Sequence, residues 1–349
     1  MARADRAPGR RRAAPPPRRR RFARPSFKAR LLGTLWLLLV ALGALALISG
    51  WTPLDLPGWV PTSGAVTITT LYACGLAYRA GGRAATSGAL ALVLTVASVI
   101  SQNPVLLVAA AVSTAVLAGL LAVMSTTPAA GFPAVIRECA VATLVAVVGA
   151  FAVEAYQAEV SLERVGYLAF GLSLLGGIVL GYRLGAGLHG LGTRGSIMVV
   201  SGLGLLLVTL AYTEALSRWG APGLTNGIDE VVRTIRDAVG AVPRPVEVLV
   251  GFPALAWGVS TRARRRQGWW VCVFGAAGLS LVAVSLLDAQ VSLLESGQTL
   301  LYSAVLGLLL GYLVIRADQF LTGARGRGAR RREEAAAHRP EPGRMQPLL

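Results

Sequence analysis

The stretch that decides the fold is LLGTLWLLLVALGALALISG, residues 31–50. It carries no charge, and as a helix its twenty residues reach about 30 Å, the depth of a bilayer's hydrocarbon core. Twelve Lys/Arg residues lie just before it, between Arg3 and Arg30, against a single acid, Asp5. A basic flank of this kind stays in the cytoplasm when the following segment inserts. The expected fold is therefore all-α, a polytopic helical membrane bundle.

Composition agrees. Of 349 residues, 54% are apolar and 15% charged, where a soluble domain carries nearer roughly a quarter charged. Lys28 is the only lysine among 34 basic residues. That bias suits a high-GC bacterial genome, hence a bacterial cytoplasmic membrane. A net charge of +17 would suggest nucleic-acid binding in a soluble protein. Here the basic residues sit at the ends of apolar segments, where orientation explains them, so no nucleic-acid partner is expected. Cys74, Cys139 and Cys272 lie apart inside apolar runs. Their spacing suits neither a zinc site nor a redox pair, which leaves buried packing.

Residues 1–30 read as a disordered, basic cytoplasmic tail that also adheres to anionic lipid head groups. Arg19-Arg20-Arg21-Phe22 loosely matches a twin-arginine signal, but no Ala-x-Ala cleavage site follows, so a retained signal-anchor is expected. Ten membrane segments follow, at 31–50, 63–78, 84–100, 104–124, 133–153, 165–182, 196–213, 246–261, 269–287 and 298–316. With both termini cytoplasmic, twenty-nine of the 34 basic residues fall inside, Arg79, Arg83, Arg137 and Arg262 among them, while eleven of seventeen acids fall outside. An error of one helix would scramble that alternation. Residues 31–316 thus form the transmembrane domain, and residues 317–349, polar and Pro/Gly-bearing, read as a disordered cytoplasmic tail.

One outer loop is long. Within it residues 225–241 carry Ile228, Val231, Val232, Ile235 and Val239 at helical spacing, with charges on the other faces. This is an amphipathic helix lying on the outer surface. It is either a connector or an outer lid, with Ile228, Val232 and Ile235 as the lid's apolar contacts.

Three stripes of small residues predict close helix packing: Ala111, Ala115 and Gly119; Gly177, Gly181 and Gly185; Ser303, Gly307 and Gly311. Pro253 should kink the eighth segment. Hydroxyl stripes at Thr67, Thr70, Cys74 and Tyr78, and at Ser201, Thr209 and Tyr212, serve either helix–helix hydrogen bonding or a polar conduit lining. One ionisable pair lies at membrane depth, Arg137 and Glu138, in the first turns of the fifth segment. Adjacent residues point about 100° apart on a helix and should not pair along one face. Arg137 can snorkel to the interface, whereas Glu138 needs a partner, a proton or water. The pair is the candidate conduit or coupling site.

No G-x-S-x-G, H-E-x-x-H or phosphate-binding loop occurs, and the two histidines, His189 and His338, lie in a loop and a tail. No catalytic site, metal or cofactor is expected, and an enzyme is not. Two readings of function stand. One is a transporter- or permease-like protein for a neutral or lipidic small molecule, since the helix midplanes carry no charge. The other is a membrane scaffold or assembly partner in cell-envelope biogenesis or division. A homo-oligomer and another membrane protein are both open as partners, beside the lipid bilayer itself.

Overall fold

The computed structural model describes residues 27–53, 56–158, 162–185, 236–286, 291–322 and 341–348, with scattered positions between 196 and 234. Helices make up its secondary structure, and no strand occurs among the described residues. They are α1 (Phe27–Ile48), α2 (Trp59–Arg79), α3 (Ala84–Ser101), α4 (Pro104–Met124), α5 (Phe132–Glu154), α6 (Leu162–Leu184), α7 (Phe252–Arg262), α8 (Gly268–Ala283) and α9 (Leu293–Thr322). Six of them (α1, α3, α4, α5, α6 and α9) are long and apolar enough to cross a membrane. α2 is long but carries Thr, Gly and Arg79, and α8 is apolar but short.

Local chemistry sets several boundaries. Asn103 caps α4, its side-chain oxygen accepting from the Val105 N–H at 2.9 Å, and Pro104 follows in the first turn. Gln102, just before, takes a left-handed conformation with φ 50° that lets the chain reverse between α3 and α4. Gly131 and Pro133 open α5 in a similar way.

The bundle is built around α8, whose residues are all buried except Leu281. It packs against α4, α5, α6 and α7. α9 closes on α7, while α1 and α3 flank α2, which itself lies on α4 and α5. The small-residue stripes are the contacts. Ala111 and Ala115 are fully buried, Gly177 and Gly181 face Val273, and Gly307 and Gly311 receive Phe252 and Ala256. A Cβ on Gly278 would stand 2.4 Å from the Gly251 Cα, so α7 and α8 touch backbone to backbone. Outward, α1, α3, α6 and α9 present Leu35, Leu42, Leu90, Leu94, Leu175 and Leu309 to the surroundings, an apolar exterior of the kind lipid covers.

α7 departs from the expected simple kink. The turn before it, Glu247–Gly251, is π-helical, and the Phe252 N–H donates to the Glu247 carbonyl five residues back. Pro253 has no N–H and its ring crowds the carbonyl of Leu249, so the helix widens by one residue there.

Candidate functional site

Charge enters the buried part of the described structure at four residues: Arg79, Glu138, Glu247 and Arg262. Three of these meet at one end of the bundle, here termed the basic end. Glu138 is 0% exposed and both of its oxygens are matched. Oε2 accepts from the Thr127 backbone N–H at 2.7 Å and from Arg344 at 2.6 Å. Oε1 accepts from Arg137 Nε at 3.1 Å and Nη2 at 2.8 Å. The expectation that neighbours so far apart on the wheel would not pair fails here. The Arg137 side chain is long enough to curl over the helix end and is largely exposed, so it snorkels and pairs at once.

Arg262 and Arg79 are not loop charges in water, as their place at helix ends suggests, but are 1% and 4% exposed. Arg262, ending α7, donates to the Thr126 hydroxyl at 2.7 Å and the Thr126 carbonyl at 3.2 Å, and stacks 3.7 Å from the Trp269 ring centre. Its remaining face meets Glu341 at 2.6 Å. Arg79, ending α2, donates twice to the Met124 carbonyl, at 3.0 and 2.7 Å. That carbonyl belongs to the last turn of α4, where a cation offsets the helix's negative end. Arg79 also donates to the carbonyls of Gly343 and Gln346, and its own carbonyl accepts from the Leu348 N–H at 2.8 Å. The described part of the C-terminal tail is therefore docked, and α9 runs on to Thr322. Both facts correct the reading of 317–349 as wholly disordered. The contacts responsible lie from 79 residues away, for Arg262–Glu341, to 267, for Arg79–Gln346, beyond any local pattern.

Glu247 stands apart from this cluster, at the start of the π turn. It is 2% exposed. Arg244 reaches one oxygen at 3.4 Å, and the other oxygen, Oε2, has no partner among the described residues. Ser303 of α9 lies beside it and accepts from the Arg244 N–H at 2.9 Å. Arg236–Glu295 at 3.0 Å and the Tyr302 hydroxyl donating to the Val239 carbonyl at 3.0 Å pin the described end of the surface helix to α9. Sequence reasoning does not single out Glu247, though an acid opening the apolar segment 246–261 is a signal that could have found it. Arg79, Arg262 and Thr126 carried no such signal.

The hydroxyl stripe of α2 does not line an open space. A Cβ on Gly88 of α3 would strike Cys74, and Thr67 faces Gly43 of α1, so this face is spent on packing, with Tyr78 exposed. The inter-helix hydrogen bonds fall one position over, where Thr69 meets Thr114 at 2.7 Å and Tyr156 at 2.9 Å. Ser201 is exposed. Thr209, Tyr212, Ile228, Val232 and Ile235 lie outside the described residues. A small apolar crevice of about 10 Å³ lies between α4, α6 and α8, lined by Leu120, Gly177, Gly181, Trp269, Cys272 and others, with room for about one water molecule. All three cysteines are free, and Cys139 and Cys272 are buried, as packing predicts. The described residues contain no group of acids, histidines and cysteines able to hold a metal. No known protein family, curated protein or solved structure matches the chain.

Proposed function

We propose that the chain is a non-enzymatic, transporter- or permease-like protein of the bacterial cytoplasmic membrane, moving a neutral or lipidic small molecule on ten membrane helices with both termini in the cytoplasm. The observation that carries this reading is α7. Hydrocarbon offers no substitute for a lost backbone hydrogen bond, so a membrane helix keeps its winding regular unless something is gained. α7 opens on a π turn, contains Pro253, buries a half-matched carboxylate and lies against bare glycine backbone at Gly278 and Gly307. Interrupted helices with buried polar groups are working parts of many carriers, and π turns recur at functional sites. Among the described residues, ionisable groups are buried only near helix ends, which supports an uncharged or lipidic cargo.

The test is reconstitution into liposomes, with scrambling of a fluorescent phospholipid and swelling in uncharged solutes as readouts. The native protein should accelerate at least one over protein-free vesicles, and Gly251→Leu should abolish that gain. Rates equal to protein-free vesicles throughout would overturn it. A second reading, the scaffold or assembly partner, is favoured by the docked C-terminal segment, because a face that holds a peptide is what assembly requires. Topology is tested separately. Reporter fusions after Arg83, Arg194 and Arg266 should read cytoplasmic and one at Gly223 external, and a cytoplasmic signal at Gly223 would break the ten-helix arrangement.

A further inference from the structure

The contacts of residues 341–348 differ in kind from those of a tail that merely rests on a surface. Arg79 binds main-chain carbonyls of Gly343 and Gln346, and its own carbonyl takes the Leu348 N–H. Backbone contacts of this sort hold a peptide without reading its sequence. Two ion pairs of opposite sense, Glu341 with Arg262 and Arg344 with Glu138, then fix register three residues apart. Leu348 packs on the main core cluster, and Met345 reaches Gly33 of α1. The segment is itself pre-shaped. The Gln346 N–H donates to the Gly343 carbonyl at 3.0 Å, the Gly343 N–H donates back to Gln346 Oε1 at 3.2 Å, and Pro342 and Pro347 restrict the flanks. Such restriction lowers the entropy lost on docking.

The bundle side is built to persist without the segment. Each group that meets it already has a partner within the bundle: Arg262 has Thr126 and Trp269, Arg79 has Met124, and Glu138 has Thr127 and Arg137. We propose that this hollow at the basic end is a peptide-binding site whose ligand is a proline-flanked turn bearing an acid three residues before an arginine, and that residues 341–348 fill it in cis. Eighteen residues separate Thr322 from Glu341, and covalent attachment supplies an effective concentration of order millimolar. A modest intrinsic affinity therefore keeps the site occupied, and the same peptide added in trans must compete with the attached copy. This inference is independent of transport.

The test uses purified protein in nanodiscs and a fluorescein-labelled synthetic peptide, EPGRMQPLL, as probe. Two forms expose the site: a chain ending at Thr322, and the full chain carrying Glu341→Arg with Arg344→Glu, which leaves every bundle residue in place. Both should bind the probe saturably, roughly tenfold or more tighter than the unaltered chain does. The swapped peptide RPGEMQPLL should lose about as much, because each charge then faces its like. Arg262→Gln in the shortened chain should weaken native-peptide binding. Equal binding of native and swapped peptides would overturn the proposal, as would no saturable binding to the full-length double variant while it remains monodisperse.

Discussion

At the basic end, Glu138 is sealed from solvent and accepts hydrogen bonds at both oxygens, from a backbone N–H and two arginines. At the π turn, Glu247 is buried just as deeply, yet its partners are fewer and looser: Arg244 at 3.4 Å from one oxygen and the Ser303 hydroxyl beside the carboxyl, with Oε2 making no hydrogen bond of ordinary length among the described residues. A buried charge with its valences filled is a fixed joint, costly to break. A buried carboxyl whose hydrogen-bonding capacity is only half filled costs the fold free energy. The same side chain thus does opposite things at two positions, and its environment decides which.

That contrast yields predictions ordered by size. The largest concerns the contact that seats the π turn. Gly278→Leu forces a side chain into the Gly251 backbone, so it should cost more than about 4 kcal/mol, seen as loss of monodisperse protein on size exclusion in detergent. Next, Glu138→Ala strips the shared partner from Arg137, Arg344 and Thr127. It should cost about 3 kcal/mol, read as a lower midpoint of thermal unfolding in detergent. Leu348→Ala removes one partly buried anchor of the docked segment and should cost about 1 kcal/mol by the same measurement. Last, Glu247→Gln keeps shape while replacing a poorly matched carboxyl by a neutral amide, so its midpoint should hold or rise by the equivalent of up to about 1 kcal/mol. A marked fall for Glu247→Gln would show that its charge is matched after all and erase the contrast.

Much of the fold was legible because apolar length and small-residue spacing are local signals. The segments at 104–124 and 133–153 coincide within a residue with α4 and α5, and the three small-residue stripes mark real contacts. Helices also occur at the eighth and ninth segments, though the first opens as a π turn, the second ends at Ala283, and neither is among the six long and apolar enough to cross a membrane. Local pattern fails where a partner is distant. Glu138 announced its need for a partner, but nothing in FPAVIRECAV says that Arg344 supplies it. The topology rule for basic residues reads Arg79 and Arg262 only as charges at segment ends and gives no sign that they are buried. Among the hydroxyls, pattern singled out Thr67 and Thr70, whereas Thr69, next to Thr70 and two residues from Thr67, bonds to Thr114 and Tyr156. A helical stripe names a face but not the neighbour that covers it.

The enclosure of α8 has a consequence for how such a bundle would meet a bilayer. At sixteen residues it spans about 24 Å, short of a hydrocarbon core of about 30 Å, whereas α9 at thirty residues exceeds that core and must tilt or protrude. A lipid-facing helix as short as α8 would thin the bilayer around it. α8 meets protein on every side, so hydrophobic mismatch does not reach it directly. In a bilayer, a change of thickness would act first on α1, α3, α6 and α9, and their tilt would reach the central helix through protein alone: from α6 directly, from α9 through α7, and from α1 and α3 through α2, α4 and α5.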